Sequence, residues 1–234
     1  MGSGFRTYNT AGVEQLNSLM PGLRIIAYGT AAASPYGDAV AIPDVWPESP
    51  MLLIRMSPGV SVGAVNVFQR HPFDIPNCFR YQSNGPFEWA VASTRGTPIA
   101  VGAGNVGLKL WDEAGNLTFS SAYKYPRIQA IASVPAPPFN NSPPMTSAVA
   151  IPQIGAWPWL ICNELIYVYE APDGMGGSYP GAAFSAVLNG NASVLTIEMR
   201  SSDQWSTTGF GLSPSYNPYI SRPLRIPLCI VPGL

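Results

Sequence analysis

The chain has 234 residues, of which 47% are apolar, so it carries enough core-forming side chains to exclude a globally disordered protein. Charged residues make up only 11% of the chain, against roughly a quarter in an ordinary soluble domain. The 12 Lys and Arg nearly balance the 13 Asp and Glu and form no basic run, so we expect no nucleic-acid partner.

The first residues, 1–22, carry polar side chains where a signal peptide would need an apolar centre. No later stretch reaches the roughly 18 uninterrupted apolar residues of a membrane-spanning helix. The sequence therefore predicts synthesis in a cytosol and no membrane insertion.

An internal repeat organises the chain. Residues Gly4–Ala27 align without gaps on Gly107–Ala130 at an offset of 103, with seven of 24 positions identical. The sequence AVAIP then occurs at Ala39–Pro43 and again at Ala148–Pro152, where the offset has grown to 109 and implies six extra residues in the proline-rich segment Ser133–Ser147. We interpret the repeat as two tandem β modules, residues 1–103 and residues 104–234, the second with longer loops.

A third, weaker match aligns two Asn-Gly pairs. Asn84-Gly85 and Asn189-Gly190 are related by an offset of 105, and strand-like residues flank both. Asn-Gly between such residues is typical of a tight hairpin turn, so we expect a hairpin at each pair.

Each repeat opens on a turn. Asn9–Gly12 and Asp112–Gly115 both begin with an Asx residue and end with Gly, between apolar segments, which predicts a hairpin in both modules. Apolar residues at Val13, Leu16 and Met20 alone would also fit a helix. The second copy alternates through Leu117, Thr118 and Phe119 like a strand, which favours β structure.

The whole chain contains 23 Gly and 25 Pro, which largely exclude long helices. Short β-branched and aromatic runs between these residues predict strands, most clearly at Met51–Met56, Phe87–Ala92, Leu165–Tyr169 and Val194–Met199. The sequence thus predicts an all-β protein of two antiparallel β-sandwich or barrel modules.

The second opening hairpin, GLKLWDEAGNLTFSSAYKYPRI at Gly107–Ile128, resembles a motif of small tail-tip and tail-fibre-associated proteins of tailed bacteriophages, written GLxVxDxxGxxxFxS. Gly4–Ile25 resembles it in degenerate form, with Gln15, Leu16 and Asn17 replacing the aromatic turn exit. The resemblance covers about a fifth of the chain directly and carries no catalytic residue. It implies a β-rich virion component.

Several aromatic residues near prolines or in polar stretches are candidate contacts to a partner or a glycan, because flat apolar rings provide contact area at low entropic cost. They are Trp46, Trp157, Trp159, Trp205, Tyr216 and Tyr219. Core packing is the alternative for Trp157 and Trp159.

No recognisable catalytic or metal-binding pattern is present in the sequence. His71 is the only histidine and no nucleophile elbow accompanies it, while the carboxylates show no recognisable pairing. Cys78, Cys162 and Cys229 are widely spaced, so we expect them to be small buried hydrophobes. We therefore predict no enzyme, no cofactor and no metal.

These observations favour a structural virion protein of a tailed bacteriophage, made in the host cytoplasm and placed at the tail tip or tail fibre. Its expected partners are further copies of itself, other tail proteins and a host surface glycan or receptor. A lectin-like carbohydrate-binding module that uses exposed aromatics is the alternative function. A polysaccharide-degrading hydrolase is the third.

Overall fold

A computed structural model of the chain describes residues 6–8, 14–17, 22–68, 76–100, 107–135, 145–154, 157–162, 165, 167–169, 181–189, 193–201 and 223–234. The described residues contain seventeen β-strands and no helix. The strands are β1 (Arg6–Tyr8), β2 (Glu14–Asn17), β3 (Arg24–Ala31), β4 (Ser34–Ala41), β5 (Met51–Met56), β6 (Ser61–Phe68), β7 (Cys78–Ser83), β8 (Phe87–Ser93), β9 (Lys109–Trp111), β10 (Leu117–Ser120), β11 (Arg127–Val134), β12 (Met145–Ala150), β13 (Trp159–Ile161), β14 (Tyr167–Tyr169), β15 (Gly181–Asn189), β16 (Val194–Ser201) and β17 (Leu224–Ile230).

Two large antiparallel sheets pack face to face, which confirms the predicted all-β sandwich. One sheet has six strands in the order β11-β17-β13-β5-β8-β3. The other has seven, in the order β12-β16-β15-β6-β7-β4, with β14 also paired to β15. The pairs β1-β2 and β9-β10 form two small separate hairpins. We call β1–β8 the first repeat and β9–β17 the second repeat.

In each sheet, the strands of the first repeat, read inward from one edge, have the same order as the equivalent strands of the second repeat read inward from the other edge. The matched strands are β3 with β11, β4 with β12, β5 with β13, β6 with β15, β7 with β16 and β8 with β17. At the offset of 103, β1, β2 and β3 begin and end at the residues equivalent to those of β9, β10 and β11. The internal duplication is therefore present in the fold as a pseudo-two-fold arrangement of strands.

Equivalent hydrogen bonds hold the two AVAIP segments. The backbone N–H of Ile42 donates to the carbonyl oxygen of Asn77 at 2.8 Å, and that of Ile151 donates to the carbonyl oxygen of Ser193 at 2.9 Å. Both isoleucine side chains are buried in the same core. The AVAIP match in the sequence thus aligns two isoleucines that make equivalent backbone hydrogen bonds and are buried in the same core.

The two repeats meet strand to strand. In the six-stranded sheet β13 pairs with β5, and in the seven-stranded sheet β15 pairs with β6. The main core contains residues of both repeats, among them Ile54 and Leu160, which lie directly opposite one another. Both sheets and the core are therefore continuous across this joint. The division between residues 103 and 104 falls among residues outside the described part and stays a prediction.

Both faces of the six-stranded sheet are apolar near the joint. Along β5, Leu52, Ile54 and Met56 enter the main core, whereas Leu53 enters a second cluster on the opposite face together with Trp159. Successive side chains of a strand point to opposite faces, so a strand covered on both sides reads as a continuous apolar run. We call the face that carries the second cluster the outer face.

Most predicted strands have the expected bounds. β5 has the predicted bounds, β8 and β16 extend the predictions by one and two residues, and β14 covers only the last three residues of Leu165–Tyr169. The turn at Asp112–Gly115 closes the hairpin β9-β10, and β1 pairs with β2 across residues outside the described part.

The prediction of a hairpin at both Asn-Gly pairs was wrong for Asn84-Gly85. Asn189 ends β15, which pairs with β16, so this pair does adjoin a hairpin. Asn84-Gly85 instead connects β7 to β8, and these strands lie in different sheets. Asn84 is held by Ser61 of β6, whose N–H donates to the Asn84 Oδ1 at 2.8 Å. The two Asn-Gly pairs are therefore not equivalent positions of the repeat.

Candidate functional site

A row of polar side chains crosses the outer face in the first repeat. Glu88 on β8 lies directly opposite Thr30 on β3 and directly opposite Arg55 on β5. Residues paired in this way project from the same face of a sheet, so these three side chains form a continuous polar row on a largely apolar surface.

Arg55 is held from three directions. Its Nε donates a hydrogen bond to the Glu88 Oε2, and its Nη1 donates to the carbonyl oxygen of Leu234 at 3.0 Å. Its guanidinium also lies 4.6 Å from the centre of the Trp159 ring, within the range of a cation–π interaction. The group is therefore fixed in position and still partly accessible to solvent.

The pairing with Arg55 favours the ionised form of Glu88. The hydrogen bond from Arg55 lowers the pKa of Glu88 below its ordinary value, and the positive charge of Arg55 adds to that effect while partial burial opposes it. About 47% of the Glu88 side chain is exposed, so one carboxylate oxygen can meet a ligand from solvent. The pair offers a donor and an acceptor side by side.

A cavity of about 430 Å³ opens beside this ion pair. Its lining residues are Thr30, Arg55, Met56, Ser57, Pro58, Pro86, Phe87, Glu88 and Trp157. Trp157 is half-buried, and its indole Nε1–H donates to the carbonyl oxygen of Met56, which fixes the ring. One oriented aromatic ring beside a charged pair is a combination that suits a polar ligand with an apolar face.

Glu88 is the one carboxylate among the described residues that line this cavity. Hydrolysis of a glycosidic bond uses two carboxyl groups about 5 to 10 Å apart. The cavity thus gives no particular support to the hydrolase alternative. Among the described residues, no group of three or more His, Cys, Asp or Glu is placed to hold a metal ion.

The structure separates the aromatic residues singled out in the sequence. Trp157 lines the cavity, whereas Trp159 is only 2% exposed and packs in the outer-face cluster beneath Arg55. Trp159 is therefore a core residue, and its ring has no surface to offer a glycan. Trp46 is half-buried elsewhere, where its backbone N–H donates to the Asp44 Oδ1 and its carbonyl oxygen accepts from Arg95. The other three, Trp205, Tyr216 and Tyr219, lie outside the described residues, as does His71.

Sequence reasoning missed Arg55 and Glu88. Each is the only charged residue of a strand that is otherwise almost entirely apolar, MLLIRM for Arg55 and FEWAVAS for Glu88. A lone charge in an otherwise apolar strand marks a position that is either paired or open to solvent, because an unpaired buried charge is costly. Two such strands in one repeat were the available signal for this pair.

A second surface feature lies in the second repeat. Leu108 and Trp111 on the hairpin β9-β10 are 47% and 53% exposed, and Ile128 and Ile131 on β11 are 55% and 60% exposed. Singly exposed apolar residues are ordinary, but four large ones between residues 108 and 131 mark a part of the second repeat available for contact.

All three cysteines are buried, as predicted, and all three are free thiols. Burial raises the pKa of Cys229 to about 12 and raises that of Cys162 well above its ordinary value. These thiols are therefore protonated and unreactive in the folded state.

Comparisons with protein-family models, with curated proteins and with solved structures found no match. Within the described residues there is no helix that is both long and apolar enough to cross a membrane.

Proposed function

We propose that this chain is a structural component of a tailed bacteriophage virion, located at the tail tip or tail fibre, and that it acts by assembling with copies of itself and with other tail proteins. The observation that carries the proposal is a set of four exposed apolar side chains: Leu108 just before β9, Trp111 on β9, and Ile128 and Ile131 on β11. Permanent assembly buries such residues, whereas a free soluble protein keeps them in contact with water.

The opening hairpin of the second repeat supports the same function. The residues that resemble the tail-protein motif form β9, β10 and the turn between them. Asp112 stabilises that turn, because its carboxylate accepts hydrogen bonds from the backbone N–H groups of Ala114 and Asn116. The hairpin is thus a well-formed element whose strand β9 presents Trp111 to solvent.

Peptide mass spectrometry of gradient-purified particles tests the proposal. We expect the chain at a few copies per particle, counted against the major capsid protein of the producing culture. Detection only in the soluble fraction would contradict the virion assignment. Trp111→Lys should reduce the amount that enters particles, because it places a charge where we propose a buried contact. Glu113→Lys, a charge change on the exposed turn of the same hairpin, is the matched control and should be incorporated normally.

The cavity beside Arg55 favours a second function, binding of a host surface carbohydrate. Sugar rings present one apolar face and several hydroxyl groups, and the cavity presents the Trp157 ring together with the donor and acceptor groups of Arg55 and Glu88. A tail protein can also attach to the host, so the two functions are compatible.

Binding of purified host polysaccharide tests this second function. Trp157→Ala should weaken binding by about tenfold or more while the far-ultraviolet circular dichroism of the protein stays that of the wild type. Trp111→Ala removes an exposed tryptophan outside the cavity and is the matched control, so it should bind like the wild type. Equal binding by both variants, or no binding by the wild type, would remove the carbohydrate function.

A further inference from the structure

The sandwich has two ends at which its sheets stop. At one end the edge strands are β3 and β4 of the first repeat, and at the other they are the equivalent strands β11 and β12 of the second repeat. We call these the first-repeat end and the second-repeat end. An edge strand presents unpaired backbone groups, and proteins that stay monomeric cover or interrupt such edges.

The first-repeat end is covered at Ile25, near the start of β3. The backbone N–H of Ile25 donates to the carbonyl oxygen of Lys124 at 2.8 Å, and its carbonyl oxygen accepts from the N–H of Ile99 at 2.9 Å. These two segments lie outside the large sheets and extend over the edge. As a result the Ile25 side chain is fully buried in the outer-face cluster.

The first-repeat end is also interrupted along β4. This strand contains Pro35, which has no N–H to donate, and Gly37, whose φ of +97° departs from extended backbone. The pairing of β4 with β7 shifts register between Ser34 and Asp38, and Asp38 places an exposed charge on the edge. Prolines, irregular register and charges are the features that prevent a sheet edge from pairing with another chain.

In the part of the chain that the structure describes, the second-repeat end has less of this protection: one register shift of β11 against β17, between Ile128 and Ala130, and the charge of Arg127. Ile128 is the equivalent of Ile25, yet no backbone hydrogen bond joins it to any described segment outside the sheets, and its side chain is 55% exposed. β12 pairs with β16 at six consecutive positions without a register shift, and its sequence MTSAVA contains no charge, Pro or Gly. Across β11 and β12 the only charged residue is Arg127.

The joint between the repeats shows what such an edge can bind. There, β5 and β6 of one repeat pair with β13 and β15 of the other, so both sheets continue across the joint and a common core forms. This is edge-to-edge pairing of two similar sandwiches in antiparallel orientation. A second copy of this chain presents another edge of the same kind.

We propose that two copies of this chain associate through their second-repeat ends, with β11 antiparallel to β11 of the other copy and β12 antiparallel to β12. A head-to-tail arrangement would have to use the first-repeat end of one copy. Because that end is protected, we expect both copies to pair through their second-repeat ends. A two-fold axis near the middle of β11 brings the exposed Ile131 side chains of both copies together. It also places the two Arg127 side chains at opposite ends of the paired strands, where they do not repel.

This pairing rests on the proposed function, because it names the strands through which copies of the chain would assemble. The two are nevertheless tested separately. Particle composition tests the virion assignment, whereas the mass of the purified chain in solution tests this pairing.

Light scattering coupled to size-exclusion chromatography is the experiment. The full chain should elute with twice its 24.9 kDa mass at about 100 µM. Ile131→Lys should raise the dimer dissociation constant at least about tenfold, because it brings two introduced lysines together at the two-fold axis. Tyr36→Lys is the matched control: it introduces the same residue at an exposed aromatic position on the first-repeat end, and it should leave the dimer intact.

Three results would overturn the pairing. They are a monomeric wild type at that concentration, a mass above that of a dimer, and equal loss of the dimer in both variants. Circular dichroism melts show whether Ile131→Lys still folds. Should that variant fail to fold, hydrogen exchange on the wild type decides instead. The amides of β11 should exchange more slowly at high than at low protein concentration, and concentration-independent exchange would overturn the pairing.

Discussion

Leu160 of the second repeat lies directly opposite Ile54 of the first, and both side chains are completely buried. The pair stands at the centre of the joint, where the six-stranded sheet passes from one repeat to the other. Their contact ties the stability of each repeat to the presence of the other, because neither side chain would be covered without its partner strand.

Leu160→Ala should therefore lower the free energy of unfolding of the whole chain by about 2 to 5 kcal/mol, the usual cost of removing a fully buried leucine side chain. Urea denaturation followed by circular dichroism and by tryptophan fluorescence measures it, and we expect one coincident transition from both probes. Leu108→Ala, at a position 47% exposed, should change stability by less than about 0.5 kcal/mol. Two separate transitions in the wild type would contradict the shared core.

The ion pair of Arg55 and Glu88 should make stability depend on pH in the acid range. The pKa of Glu88 in the folded protein is lowered from its ordinary 4.5. The pair therefore stabilises the fold at neutral pH, and this contribution is lost as pH falls through the folded-state pKa. Glu88→Gln should reduce stability at pH 7 by no more than about 1 kcal/mol, since nearly half of the side chain is solvated.

Urea midpoints measured in steps from about pH 7 to pH 3 check this prediction. The curve of the Glu88→Gln variant should fall less steeply than that of the wild type in the lower part of this range. Glu113→Gln, the same change at an exposed carboxylate of the hairpin turn, is the matched control. Parallel curves for all three proteins would show that Glu88 contributes nothing to the pH dependence of stability.

A side chain at position 29 would require the Trp89 ring to shift. A Cβ at this position would lie 3.0 Å from Cζ2 of the Trp89 ring, which is 9% exposed and packs edge-on against Phe79 at 5.5 Å between ring centres. Since the ring is confined, we expect Gly29→Ala to destabilise the protein by about 1 to 3 kcal/mol. Thermal denaturation measures the loss, and Thr30→Ala at the neighbouring exposed position is the control. An unchanged melting temperature for Gly29→Ala would show that the ring can move.

The buried thiols provide a chemical test of the core. Cys162 and Cys229 lie on opposite sides of the six-stranded sheet, and burial raises the pKa of both thiols. Because the thiolate is the reactive form, a thiol reagent at pH 8 should label the native protein at least about a hundredfold more slowly than the urea-unfolded protein. Rapid labelling of either cysteine in the native state would contradict its burial.

Local sequence signals predicted the local structure well. The turn at Asp112–Gly115 and the strand at Met51–Met56 were predictable because turn chemistry and apolar runs act over a few residues. Alignment of the repeats also located equivalent strands, since a duplicated segment that keeps its fold keeps its strand bounds.

Pairing between distant segments was not predictable in this way. Asn84-Gly85 has the composition of a hairpin turn, yet it connects the two sheets, because the pairing partner of each strand is set by the packing of the whole sandwich. Trp159 follows Trp157 by two residues, and only the position of β13 at the joint buries the one and leaves the other in the cavity. The polar row of Thr30, Glu88 and Arg55 likewise forms from three strands that are not consecutive in the chain.

The joint between the repeats has a consequence for synthesis on the ribosome. Strand β5 leaves the ribosome well before β13, its partner at the joint, since about a hundred residues separate the two, and at roughly 5 to 20 residues per second this takes on the order of 5 to 20 s. Through that interval β5 and β6 have been synthesised but their partners β13 and β15 have not, and the core still lacks the side chains of the second repeat. Nascent chains on neighbouring ribosomes of one messenger carry the same exposed edges, so exchange of repeats between chains competes with closure within a chain. A slower rate of translation through the second repeat would favour that exchange, and a faster rate would favour the closed monomeric unit.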